Sequence, residues 1–199
     1  MPKQVDHEQR KQNIAEATWR VIVNEGMEGA TVRNIAKEAG LSLGALRHDF
    51  PSQESLLAYA MNLVKERAGQ RIASIAAQDI PAKDKVLGML LEIVPTDDQT
   101  RAEMEVWFVF TAYYSHKRDS FDAQHDGIFS MVKIILAHLD QAGLLKQGAR
   151  MDMEAEMLYA LVDGLAMHAL LDPQRLDKER VTRVLESYLD SISHFPAEK

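Results

Sequence analysis

The sequence predicts an all-α protein of about nine helices, three short ones at the N-terminus joined to a larger helical body. Three observations carry this. Apolar residues recur with a period near 3.6 in segment after segment. Residues that cap helices stand before those segments, and Gly or Pro stands after them. No stretch alternates with the period of two that a half-buried strand needs, and there is neither an internal repeat nor a low-complexity tract.

Asp6 and Gln9 form a capping box ahead of the first helix, whose apolar positions Ile14, Ala17 and Val21 lead to its end at Glu25 and Gly26. Thr31 caps a short second helix, VRNIAKEA, that stops at Gly40. Ser42 caps the third, LGALRHDF, which cannot run past Pro51. Ser52 opens a long fourth helix with Glu54 in its first turn, where the macrodipole favours a carboxylate. Leu56, Leu57, Ala60, Leu63 and Val64 are its apolar positions. Pro81 and Pro95 bracket a fifth helix, and TRAEMEVWFVFTAYYSHK reads as a sixth. The seventh is expected from about Ser120 to Ala142, ending at Gly143. The eighth, MEAEMLYALVDGLAMHALL, is closed by Asp172 and Pro173; Asp177 caps the ninth, KERVTRVLESYLDSISH.

A chain of 199 residues with 46% apolar and 27% charged residues can bury a sizeable core as one or two domains. It has no cysteine, which removes disulfides, cysteine-bound zinc and thiol nucleophiles from consideration. The N-terminal MPKQVDHEQRKQ lacks the apolar core of a secretory signal, and no apolar run is long enough to span a membrane. A cytoplasmic location is the expectation. The net charge of −7 is unevenly spread. Residues 1–50 hold seven bases (3, 10, 11, 20, 33, 37, 47) and seven acids (6, 8, 16, 25, 28, 38, 49), so the whole acid excess lies in 51–199. That distribution permits a DNA-facing end on an acidic body.

The second and third segments have the residue types of a helix-turn-helix, in which the second helix of the pair enters the major groove. Ala36 is the small residue that lets the helices approach, Gly40 opens the turn and Leu46 pins the recognition helix. Ile35, Ala39, Leu41 and Phe50 supply the surrounding apolar contacts, and Gly44 leaves room for a backbone to come close. The stretch TVRNIAKEAGLSLGALRHDFPSQESLL resembles the DNA-binding module of TetR-family transcriptional repressors over roughly residues 8–57. LRHDF resembles the BetI-like branch of that family, and LYALVDGLAMHALLDPQRL is similar to its C-terminal dimerisation region.

The resemblance implies a helix-turn-helix DNA-binding domain over 1–52 and a ligand-binding and dimerisation domain over 53–199. The DNA-binding candidates are Thr31, Arg33, Ser42, Leu43, Gly44, Ala45, Arg47 and His48, with Lys37 as a flanking contact. Thr31 and Ser42 serve equally as helix caps, and Leu43 and Ala45 are expected to be exposed. Three residues depart from the family pattern: Arg47 replaces a common Tyr, Asp49 a common His or Tyr, and Gln53 a common Lys. Asp49 is the awkward one, since a carboxylate beside DNA repels phosphate unless it is turned away or paired.

For the body, the resemblance implies a ligand-responsive repressor that binds a palindromic operator as a homodimer and is released by a small-molecule effector. MEVWFVFTAYY crowds aromatics around one helix, which means burial on more than one side. Met89, Met104, Trp107, Phe108, Phe110, Thr111, Tyr114 and Met167 are the effector candidates. They suit a lipophilic molecule or a cation, the latter with Glu103 or Glu105 as counter-charge. Met157, Leu161, Gly164, Leu165, His168, Val184, Leu185 and Tyr188 are the dimerisation candidates, on one stripe each of the eighth and ninth helices. No zinc-protease, P-loop, dinucleotide or nucleophile-elbow motif is present, so no enzyme and no cofactor is expected. The rival reading is a metal-responsive regulator using His116, Asp119, Asp122 and His125, whose three-residue spacing shares a face on a continuous helix.

Overall fold

The computed structural model describes residues 2–114 and 127–196. Among them nine helices follow in order: α1 (Pro2–Gly29), α2 (Val32–Glu38), α3 (Leu43–Asp49), α4 (Gln53–Ala76), α5 (Ala82–Leu91), α6 (Asp98–Tyr114), α7 (Ile128–Gln141), α8 (Met151–Leu171) and α9 (Lys178–Ile192). The one β feature among these residues is an isolated bridge between Leu145 and Ser193.

The predicted caps are in place. Thr31 Oγ1 accepts from the Asn34 amide at 3.2 Å, Ser42 Oγ from the Ala45 amide at 3.1 Å and Asp177 Oδ1 from the Arg180 amide at 2.8 Å. Each removes one of the orphan amides at a helix start. Gly26 (φ 70°) breaks the helical path within α1, and Gly40 (φ 66°) makes the turn between α2 and α3. Both angles lie where a side chain would be strained.

Most boundaries fall within a few residues of expectation, and two need comment. α1 is already helical from Pro2, so Asp6 lies within it rather than capping it. α7 begins at Ile128 after Gly127, which takes the left-handed conformation (φ 85°), and the expected start at Ser120 lies outside the described residues.

The chain divides into two compact units, Met1–Arg67 with Glu105–Ala123, and Ala68–Met104 with Gln124–Lys199. The first is built on a core of Ile14, Ile22, Ile35, Leu46, Leu56 and Val106, all fully enclosed. Trp19 joins it and donates its indole N–H to the Ala60 carbonyl at 3.0 Å, which satisfies the polar end of a buried ring. The second unit packs α7 on α8 and α5 on α9 around Leu90, Val94, Leu136, Leu158, Leu185 and Leu189. Within it Arg71 clamps three elements: Nε donates to Glu92 at 2.6 Å, and the two terminal nitrogens donate to the Glu103 carboxylate at 3.1 and 2.7 Å. Burial alone would lower the Arg71 pKa, and the two carboxylates outweigh it and raise it. Among the described residues no helix is long and apolar enough to cross a membrane.

Candidate nucleic-acid interface

α2 and α3 are seven residues each and cannot hold themselves helical without packing. Ile35 and Ala36 from α2 and Leu46 from α3 are buried, as the small-residue, turn and pin pattern requires. This leaves Thr31, Arg33, Lys37, Ser42, Gly44, Arg47 and His48 exposed. Leu43 and Ala45, expected to be exposed, are half-buried, because each lies next to the inward face of a helix less than two turns long. A Cβ added at Gly44 would meet no atom within 4 Å, so the outer side of α3 is open there. Thr31 and Ser42 use an oxygen lone pair for capping, and each hydroxyl proton stays available to an outside acceptor.

The charges on these two helices are sorted. Each acid is paired inward or sideways. Glu38 accepts from Arg20 at 2.6 Å. Asp49, with its side chain only 1% exposed, forms an ion pair with Arg10 Nε at 2.8 Å. His7 and His48 each bring Nδ1 to within 3.4 and 3.5 Å of its other oxygen. Arg33, Lys37 and Arg47 are exposed and pair with no described residue. The outer face of α2 and α3 is thereby cationic. Gln53, which stands where the family pattern commonly has Lys, turns inward and donates to the Ala30 carbonyl at 2.8 Å, tying the start of α4 to the loop before α2.

The Asp49 arrangement answers the difficulty its position raised. The carboxylate is both turned away and paired, so it presents no charge to phosphate. Sequence reasoning did not single out Arg10, whose Nη2 also donates to the Ala45 carbonyl at 3.0 Å. The signal was there in weak form: His7 and Arg10 are three apart and share a face of α1.

The effector candidates fall in both units. Trp107, Phe108 and Thr111 are half-buried on α6 and Phe110 is buried, all in the first unit. The Thr111 hydroxyl is enclosed without a hydrogen-bond partner among the described residues. Lys65 Nζ lies 5.4 Å from the centroid of the Trp107 ring, an attractive cation–π distance. Met89 and Met104 are half-buried in the second unit, whereas Met167 is 44% exposed on α8. Glu103 is committed to Arg71 and is not a spare counter-charge. The side chain of Tyr114 and the residues His116, Asp119, Asp122 and His125 lie outside the described residues. Among the described residues no group of three His, Asp or Glu is arranged to hold a metal ion.

On α8 and α9 the expected single stripe is split between two faces. Leu165 and Leu185 point into the core of their own unit. Gly164 and Leu165 are adjacent, hence about 100° apart on the helix, and cannot share one narrow face. The outward side of α8 carries Met157 and His168, both exposed, with Leu161 and Gly164 half-buried between them. Val184 and Tyr188 are half-buried on α9, and the Tyr188 hydroxyl donates to Glu154 of α8 at 2.8 Å. Leu161, Val184 and Tyr188 line an open groove of about 680 Å³ together with Arg180 and Arg183.

Comparison with known proteins agrees with this geometry. Residues 14–60 match bacterial regulatory proteins of the tetR family, and residues 82–194 match the C-terminal domain of BetI-type transcriptional repressors. The HTH-type transcriptional regulator PksA of Bacillus subtilis is 62% identical over 192 residues, 96% of this chain and 94% of that protein. A transcriptional regulator from Rhodococcus sp. Rha1 superposes with a TM-score of 0.79 at 23% identity, over 94% of this chain and 99% of that one. A Saccharomonospora viridis protein solved in complex with choline superposes with a TM-score of 0.80 at 21% identity, over the same shares.

Proposed function

This chain belongs to the tetR family of bacterial regulatory proteins, as a transcriptional regulator with a BetI-type repressor C-terminal domain and not an enzyme, and on that premise we propose how it acts. It binds a palindromic operator as a homodimer in the cytoplasm and is released by a small, lipophilic effector. Residues 1–52 contact DNA, and residues 53–199 dimerise and sense the effector. The observation that carries the DNA reading is the sorted charge of α2 and α3, with Arg33, Lys37 and Arg47 exposed and without a charged partner among the described residues while Glu38 and Asp49 are neutralised.

Arg47 provides the two-pronged donor that suits guanine, and Thr31, Ser42 and His48 provide contacts to phosphate. Leu43 and Ala45 border the site, and Gly44 lets the DNA backbone approach. A twofold dimer presents two copies of α3, which is why a palindrome is expected. The outward side of α8, with Met157, Leu161, Gly164 and His168, supplies the homodimer contact with Val184 and Tyr188 of α9.

Trp107, Phe108, Phe110 and Thr111 form the effector-contacting part of α6. Because Lys65 already sits over the Trp107 ring, the open chemistry there favours an apolar molecule over a cation. The choline held by the Saccharomonospora viridis protein is the cation to try against it. Release follows if the effector binds the DNA-free conformation more tightly than the DNA-bound one.

Selection of bound sites from a random DNA pool, repeated with apolar metabolite extracts and with choline, tests the whole reading. A palindrome that disappears with an apolar fraction is the expected result. Release by choline alone overturns the lipophilic effector, and no enriched sequence overturns the DNA-binding function.

A further inference from the structure

We infer that Arg10 is a positioning residue for DNA reading, an inference that rests on the proposed DNA-binding function and assigns α1 a part in operator discrimination. Its guanidinium contacts two residues of α3 that are four apart in sequence, through a backbone oxygen of one and the carboxylate of the other. Nη2 donates to the Ala45 carbonyl at 3.0 Å and Nε pairs with the Asp49 carboxylate at 2.8 Å. Ala45 and Asp49 are four residues apart, so both lie on one side of α3. Gly44 and Arg47 fall on the other side and are exposed, while His48, also exposed, lies between the two sides with Nδ1 3.5 Å from the Asp49 carboxylate. A side chain gripping two points of the inner side fixes how far α3 is rolled about its axis. That roll decides where the Arg47 fork points.

The geometry gives this tether weight. α3 has seven residues, one fully enclosed large side chain (Leu46) and no long hydrophobic face to resist rotation. Asp49 is enclosed, where an ion pair acts through less solvent than at the surface and removing either partner is costly. Nε and the carboxylate meet without hydrogen-bond alignment, so the pair acts through charge, and the directed bond is the one to Ala45. His7, three residues before Arg10 on α1, and His48 bring their Nδ1 atoms to 3.4 and 3.5 Å from the other oxygen of the same carboxylate. Phosphate contacts tolerate a few degrees of roll because they are made by long, mobile side chains. A bidentate contact to a base edge does not. Loosening the tether therefore costs discrimination between sequences more than it costs affinity for DNA in general.

The test measures binding of the full-length protein to a selected operator and to an unrelated duplex, across salt, for the wild type, Asp49→Asn, Arg10→Gln, Arg10→Lys and the double variant Arg10→Gln/Asp49→Asn. Asp49→Asn keeps the shape and removes the charge, so it carries the test if an Arg10 variant does not fold. Each single variant is expected to lower the operator-to-unrelated ratio about tenfold, within the range for one base contact, with the salt slope unchanged. Arg10→Lys should not rescue, because an ammonium cannot grip both points. The double variant should lose no more than the worse single one, as partners in one contact do. A merely structural role would lower the melting temperature and leave the ratio alone, and that result overturns the inference. A salt slope smaller by about one in the Arg10 variants also overturns it, since Arg10 would then touch phosphate itself. A wild type with no preferred duplex fails the DNA-binding function first. A discriminating wild type whose variants discriminate equally fails this inference alone.

Discussion

On α2 and α3 the surface residues left without partners are cations, whereas on the outward side of α8 they are methionines and a leucine. Arg33, Lys37 and Arg47 are exposed with no charged partner among the described residues, after every acid on their helices has been paired away. Met153, Met157, Met167 and Leu171 stand exposed after the inward residues of α8 have filled the core. Both surfaces hold what the chain could not satisfy by itself. The kind of remainder names the partner: cations ask for phosphate, and a Met-rich apolar stripe asks for another apolar stripe, most simply the same one on a second copy.

Leu46→Ala removes the pin that lets α3 show its cations, and should destabilise the protein by about 2–5 kcal/mol, read from denaturant unfolding. A smaller loss would mean that the tether to α1 holds α3 without it. Met157→Glu puts a charge on the apolar remainder and, by twofold symmetry, does so twice. Leaving two carboxylates unpaired in a dimer interface should cost about 3 kcal/mol or more, seen in sedimentation as dissociation to protomers with the fold intact. An unchanged dimer would move the interface elsewhere.

Arg47→Ala tests the cationic remainder directly. It should cost about 1–3 kcal/mol of operator binding if the side chain reads a base, with specificity relaxed at one position of each half-site. A uniform loss across sequences with a shallower salt slope would make Arg47 a phosphate contact instead. Gly44→Ala gives the smallest effect and the sharpest separation of folding from function. With nothing within 4 Å of the new Cβ, the substitution should leave stability unchanged or raise it by about 0.4–1 kcal/mol, measured by thermal unfolding. Operator affinity should fall all the same, because the added methyl meets the DNA backbone. Equal affinity would place the DNA away from that side of α3.

What was legible in the sequence was local. Thr31, Ser42 and Asp177 cap their helices because a cap needs only the next three residues. Gly26 and Gly40 turn the chain because their own backbone angles demand it. The partners of buried charges were not legible, since they come from far along the chain. Asp49 is paired with Arg10, 39 residues earlier, and Glu103 with Arg71, 32 residues earlier. Nothing in the periodicity of either helix announces such a pair. The same limit explains Leu165 and Leu185. An apolar residue at helical spacing can face its own core or a second chain, and only the packed structure distinguishes the two. On α8, where apolar residues lie on both sides, the two stripes had merged into one.

The expected assembly is two copies of this chain with their two α3 helices on one palindromic duplex. Its most direct measurement is the mass of the complex formed with the selected operator, set beside that formed with a single half-site and with a scrambled duplex of equal length. The expected result is two chains on the palindrome, at an affinity well above that for the half-site, and weak, strongly salt-dependent binding to the scrambled duplex. Equal affinity for all three duplexes, or one chain on the full site, would contradict it.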